Sequence, residues 1–178
     1  MRYKVGKKEE THTKMLSAAG ETFRQYGFSG IGVDGLTKAA GVTSGAFYKH
    51  FSSKNDAFSE VLALGLDEVI EAITEFKTKY GRVWWKEFAV FYVGERRLCD
   101  LGQSCSLQSL SGEVMRSETP TKQVFERKLE KIIEATGDDF DIALINLATL
   151  IGGVTLARSV DNPELANKIA NAISKKFV

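Results

Sequence analysis

Among the 178 residues of this chain, the thiols and imidazoles are Cys99, Cys105, His12 and His50. Zinc sites draw on short Cys-x-x-Cys-like spacings with paired histidines. Cys99 and Cys105 stand too far apart for that and have no histidine beside them, so no metal and no cofactor are expected. A nucleophilic Cys–His pair needs an imidazole free to take the thiol proton. His50 falls in a segment with another task, and His12 lies near a polar terminus, so no catalytic residue and no enzyme activity are expected. Two readings of Cys105 stand. Close to a predicted helix start, its thiol can react with electrophiles or oxidants. It can equally be a small buried hydrophobe. One further string, Gly30-Ile31-Gly32-Val33-Asp34-Gly35, fits the G-x-G-x-x-G of dinucleotide loops. Such a loop follows a strand, whereas FRQYGFS before it reads as a helix end, so a short turn is expected.

Residues 39–51, AAGVTSGAFYKHF, suggest recognition rather than catalysis. A short helix reads over Asp34–Ala40, with Leu36, Ala39 and Ala40 inward, and Gly41 stops it. A second reads over Ser44 to about His50, with Thr43 capping its first amides. Two short helices around a tight turn make a helix-turn-helix, whose second helix lies in the major groove of DNA. Ser44, Gly45 and Ala46 let that backbone approach another molecule, and their amides can point at phosphate. Tyr48, Lys49 and His50 face outward while Phe47 and Phe51 anchor the helix from behind. Lys54, at the start of the next helix, is placed for a phosphate. Thr43, Ser44 and Ala46 are the residues that approach base edges.

The remaining elements must carry this device. Met15, Ala18, Ala19, Thr22, Phe23 and Tyr26 recur at helical spacing from Glu9 to Tyr26, and Gly27 ends that run. Ser53 caps a helix striped by Phe58, Val61, Leu62, Leu66, Val69, Ile70 and Ile73. Val83–Leu101 follows, with Trp84, Trp85, Phe88, Phe91 and Tyr92 on one broad face. That face is either plain core or, with Cys105, the lining of an apolar ligand pocket. Ser104–Arg116 comes next, then a helix opened by Thr119-Pro120. Residues 139–160 form a largely apolar helix, and residues 163–177 close the chain. No run alternates with period two. The expectation is an all-α protein of about nine helices.

Residues 1–54 carry 9 Lys/Arg and 4 Asp/Glu; the rest carry 15 and 19. A basic front and an acidic back place a polyanion partner at the front. The expected division is a DNA-binding domain over residues 1–54 and a ligand-binding and dimerisation domain over 55–178. Lys7 and Lys8 read either as a minor-groove extension or as a solvated tail. The N-terminus MRYKVGKKEETHTK has no signal-like apolar stretch. A reducing cytoplasm is expected, without a disulfide. The longest charge-free run, Ile142–Ala157, spans 16 residues. A membrane span needs about 20, so no membrane is expected and the run reads as a helix buried on two sides.

The string TKAAGVTSGAFYKHFSSKNDAF, with MLSAAGETFRQYGFSGIGVDGL upstream, resembles the DNA-binding domain of TetR-type transcriptional regulators over about residues 12–60. The matching positions are Ala40-Gly41-Val42, Thr43, Gly45, Phe47, Tyr48, His50-Phe51 and Lys54. The resemblance implies a homodimer that binds a palindromic operator, pairs through its last two helices, and is released by a small-molecule effector. It also brings Gly32, Val33 and Thr37 to the DNA side. The family often has a hydroxyl at the position of Val33, leaving Gly32 as the cap here. The family's usual Ile-Ala is Leu36-Thr37 here, and Thr37 either packs or turns outward toward the DNA backbone. A weaker likeness covers SCSLQSLSGEVMRS and LIGGVTLARSVDNPELANKI. The alternatives are a thiol-sensing repressor acting through Cys105, and a ligand-binding module with no DNA role.

Overall fold

The structure is a computed structural model; it describes residues 3–177, with side chains from Lys8 onward, so the side chain of Lys7 lies outside what is described. It is all-helical among those residues. The elements are α1 (Tyr3–Tyr26), α2 (Val33–Ala40), α3 (Ser44–Phe47), α4 (Lys54–Tyr80), α5 (Trp84–Val93), α6 (Glu95–Leu98), α7 (Ser106–Val114), α8 (Thr119–Thr136), α9 (Phe140–Arg158) and α10 (Pro163–Lys175), with short 3-10 turns at Gly81–Val83 and Leu101–Gln103.

The first helix starts well before Glu9. Its N-terminal turns contain Gly6 and carry no apolar stripe, so a reading based on the stripe begins too late. Gly27 adopts φ 73° and donates to the Phe23 carbonyl at 2.8 Å, closing α1 as a left-handed glycine should. Met15, Ala19 and Phe23 are buried, whereas Tyr26 is exposed and falls off the expected stripe. The run expected over Val83–Leu101 is broken at Gly94, which separates α5 from α6.

Helix α4 is the spine. Ser53 accepts the Asp56 amide at 3.1 Å, and the Asp56 carboxylate accepts the Ser52 amide at 2.8 Å, satisfying amides that have no partner inside the helix. Its first turns belong to the N-terminal core, where Phe58 meets Phe23 and Phe28 edge-on, each at 5.2 Å between centroids. Its later turns pack against α5, α7 and α8. The last two helices pack on one another, and Gly153 makes room for Ile173: a Cβ there would stand 2.5 Å from the isoleucine.

The apolar helix α9 is long and apolar enough by composition to cross a membrane, with a mean hydropathy of 1.8. One stripe of it, Ala143, Leu147, Leu150, Val154 and Ala157, is buried against the chain's own core. Phe140, Ile142, Ile145 and Leu156 on the same helix are exposed, as is Leu165 of α10. Within the single chain, α9 is therefore covered on one side rather than two.

Candidate nucleic-acid interface and cavity

Helices α2 and α3 form the expected turn. Gly41 takes φ 66° as the C-cap of α2, a conformation cheap only for glycine. Thr43 caps α3, its hydroxyl accepting the Ala46 amide at 3.2 Å. The helix proper is shorter than expected, but hydrogen bonds from Lys49, His50 and Phe51 back to Ala46 and Phe47 continue its course to Phe51. Phe47 and Phe51 are buried, 5.1 Å apart between centroids, and anchor the segment from behind.

The outward side is thin. Thr43, Ser44 and Gly45 are exposed, Ala46 is half-buried, and Tyr48 and Lys49 are exposed. Ser44 reaches back to the Asp34 carboxylate at 3.4 Å and joins the two helix starts. Gly45 is telling. A Cβ built there would meet nothing closer than the Thr43 hydroxyl at 4.0 Å, so nothing inside the fold requires a glycine. Glycine loses more backbone entropy on folding than alanine, costing about 0.5–1 kcal/mol in a helix.

Several expected contact residues are placed differently. Thr37 is buried, and its hydroxyl donates to the Asp34 carbonyl at 3.0 Å, so it packs inward and leaves the contact surface. Ala39, expected inward, is exposed. Gly32 is the exposed N-cap of α2 without any side-chain cap, and Val33 is half-buried against the core. The Lys54 ammonium lies over the Phe28 ring, 4.1 Å from its centroid, and burial lowers its pKa despite Glu113 nearby. It is a packed cation rather than a free one.

His50 is half-buried and lies against His12, 5.5 Å between ring centroids, while His12 Nε2 and Glu60 Oε2 stand 2.9 Å apart. Partial burial lowers the His50 pKa first, followed by His12 and Lys8, with Glu60 acting the other way. Helix-period reading put His12 at the edge of a polar tail and missed this pairing. The partners sit 38 and 48 residues apart in sequence, with no local signal to join them.

In the C-terminal half, a cavity of about 50 Å³ is lined by α4, α5, α6 and the start of α7. Of the six expected pocket residues, Phe88, Phe91, Tyr92 and Cys105 line it. Trp84 and Trp85 do not. They stack on each other at 4.2 Å, and Trp85 packs on Phe177 and bonds Asp138, tying α5 to the ends of α8 and α10. Glu68, Arg96 and Ser106 complete the polar part of the wall. The Tyr92 hydroxyl is buried and finds no hydrogen-bond partner of normal geometry. Burial, and then the neighbouring Cys105 thiol, raise its pKa well above the ordinary phenol range, so it stays protonated. Cys99 lies elsewhere: its thiol donates to the Arg96 carbonyl, and the Arg158 guanidinium spans the Arg96 and Cys99 carbonyls at 2.9 and 3.0 Å. The described residues contain no cluster suited to a metal ion.

An all-α chain that sets a capped, pinned helix-turn-helix ahead of a larger helical body defines the class of helix-turn-helix DNA-binding proteins. Residues 15–61 match the family of bacterial regulatory proteins, tetR family. That match runs from Met15 of α1 through the helix-turn-helix to the first turns of α4. The chain is 39% identical over 72 residues to the HTH-type transcriptional regulator AcrR of Shigella flexneri, a stretch covering 40% of this chain and 34% of that protein. It is 31% identical over 68 residues to the HTH-type transcriptional activator FasR of Mycolicibacterium smegmatis, covering 38% of this chain and 31% of the other. The matched stretch thus spans about a third of the length of these relatives, both named as regulators rather than enzymes. The fold as a whole is like that of reduced NemR from E. coli, with TM-score 0.75, 18% identity, and coverage of 93% of this chain and 96% of that one. A TetR-family regulator from Agrobacterium tumefaciens gives TM-score 0.76 at 15% identity, covering 95% and 98%. The family match is confined to residues 15–61, whereas the likeness of shape covers 93% and 95% of the chain in these two structures.

Proposed function

We propose that this protein is a ligand-responsive transcriptional repressor that binds a palindromic operator as a homodimer in the cytoplasm. The observation that carries the reading is the start of α3, where Gly45 stands in open space on a helix anchored by Phe47 and Phe51. Residues 1–54 serve as the DNA-binding domain and residues 55–178 as the ligand-binding and dimerisation domain. Thr43, Ser44, Gly45 and Ala46 approach the bases and Tyr48, Lys49 and His50 the phosphates. The exposed apolar residues of α9 and α10 support pairing with a second copy, because a patch of this kind on a soluble chain marks an interaction surface. Two recognition helices then enter successive major grooves about 34–36 Å apart.

The test is selection of binding sites from random duplex DNA, followed by a gel shift with the DNA upstream of the chain's own gene. Enrichment of a palindrome bound by a dimer supports the reading. Failure to enrich any sequence, with folded protein in hand, leaves a ligand-binding module without a DNA role. A reporter placed behind the operator then decides the sign of regulation.

The effector enters the cavity beneath α7, in this reading. A thiol-reactive effector is a second form of it, favoured by the unpartnered Tyr92 hydroxyl beside Cys105. With N-ethylmaleimide as probe, sulfur bonds to one alkene carbon, the alkene π bond breaks, and the thiol proton ends on the other carbon. Operator binding lost in the wild type but kept in Cys105→Ser supports that form, and equal loss in both removes it.

A further inference from the structure

Arg24 belongs to the last turns of α1, yet its guanidinium reaches out of the N-terminal half. Nε donates to the Gly102 carbonyl at 2.6 Å, and Nη1 donates to the Ser106 hydroxyl at 3.2 Å. The next residue, Gln25, accepts the Gly102 amide at 3.2 Å. Both backbone groups of one glycine are thus held by α1. The approach is close: a Cβ on Gly102 would stand 3.3 Å from the Glu21 carbonyl oxygen.

Ser106 has no room of its own. It is buried at the first position of α7, lines the cavity, and lies so close to Gly65 of α4 that a Cβ there would come 2.0 Å from its hydroxyl. The far end of α7 also touches the N-terminal half, where Glu113 lies against Gly27 of the α1–α2 turn: a Cβ on Gly27 would stand 3.3 Å from its carboxylate. Helix α7 therefore lies as a strut between the cavity and α1, and α1 in turn packs on α2 of the helix-turn-helix. Packed interiors transmit displacement because they have few voids to absorb it. An occupant larger than the cavity must push its wall, and the start of α7 is the part of that wall bonded to α1.

We propose that Arg24 is the positioning residue that couples the cavity to the DNA-binding domain: filling the cavity shifts Ser106 and the Leu101–Gln103 turn, and the guanidinium carries that shift to the end of α1. The inference rests on the reading that the cavity takes the effector and that α3 meets DNA. Arginine suits the task because its planar fork holds two acceptors in fixed relative positions, which a lysine ammonium does not.

The coupling is testable without knowing the effector. Ala72 lines the cavity, and Ala72→Met adds bulk to it. Four proteins are compared: the wild type, Ala72→Met, Arg24→Met and the double variant. The readouts are affinity for the selected operator and amide hydrogen exchange across α1, α2 and α3. The expected result is that Ala72→Met weakens operator binding by roughly 5- to 150-fold and by less than about twofold once Arg24 is gone. Exchange in α1–α3 should quicken in Ala72→Met and not further in the double variant. Arg24→Lys, which keeps the charge without the fork, should also lose most of the coupling. Equal weakening with and without Arg24 overturns the proposal, and so does an Ala72→Met protein indistinguishable from the wild type in both readouts. Should Arg24→Met fail to fold, Ser106→Ala replaces it under the same criteria, since it removes one acceptor and leaves α1 intact. If none of the four binds DNA, the DNA-binding reading falls by itself and hydrogen exchange still decides the coupling.

Discussion

The recognition segment and the cavity solve opposite packing problems. Around Phe47 and Phe51 the chain packs rings tightly so that a thin polar edge can be held still. Around Phe88, Phe91 and Tyr92 it leaves about 50 Å³ unfilled and one buried hydroxyl unpartnered. A rigid edge suits a partner of fixed shape such as the DNA groove, whereas a void with an unmet hydrogen bond suits a guest that changes its surroundings. The difference should show in the response to the same cut. Phe51→Ala removes a fully buried ring from a filled core and should cost about 3–5 kcal/mol of stability. Phe91→Ala, at a half-buried position beside an existing void, should cost about half as much. Denaturant unfolding of both variants measures this, and equal losses would mean that the two regions are packed alike.

The same contrast explains what could be read before the structure. The recognition segment lies within 13 consecutive residues whose caps, glycine stop and paired rings are all local signals. The cavity is assembled from α4, α5, α6 and α7, and only its aromatic share had a period to follow. Glu68, Arg96 and Ser106 carry no pattern that points inward. Trp84 and Trp85 shared that period, but Trp85 turns to Phe177 and Asp138 with Trp84 stacked on it, because a broad aromatic face on a helix can serve two neighbours. Of the two readings of Thr37, packed or turned outward, burial decides for the first, because its hydroxyl can satisfy itself on the preceding turn. The break at Gly94 was missed since glycine inside a helical pattern is usually tolerated.

Gly45 sharpens the comparison from the polar side. If its bare backbone serves only an outside partner, Gly45→Ala should stabilise the free protein by about 0.5–1 kcal/mol. The same change should weaken operator binding, because the added methyl occupies space the DNA needs. Opposite signs in thermal unfolding and in binding are the expected signature. A variant that is both more stable and fully competent for DNA would show that the glycine has no external role.

The cations at the edge differ in a way that salt can resolve. Lys49 is exposed and Lys54 rests on Phe28. Each phosphate neutralised contributes about 0.9 to the slope of log affinity against log salt. Lys49→Ala should lower that slope by about one unit, whereas Lys54→Ala should lower it less and disturb the Phe28 contact instead. Identical slopes for the two variants would put Lys54 back among the phosphate contacts.

The smallest effect is also the one whose sign is least obvious. His50 has a folded pKa below its ordinary 6.5, because partial burial and the neighbouring His12 and Lys8 disfavour the imidazolium more than Glu60 favours it. The unfolded chain therefore binds more protons near this pH, and stability rises with pH wherever that is so. The contribution of His50 is intact above 6.5 and is lost as pH falls through the folded pKa. Operator DNA reverses the preference, since a phosphate beside the ring favours the imidazolium. Acidification should thus slightly destabilise the free domain while strengthening its hold on DNA. His50→Gln should flatten both trends, measured by unfolding and by operator affinity between about pH 5 and 8, the span in which a histidine ordinarily changes charge. If only the stability trend flattens, His50 packs against His12 without touching phosphate. If neither does, the pairing of the two rings has no electrostatic consequence, and the recognition segment is held by Phe47 and Phe51 alone.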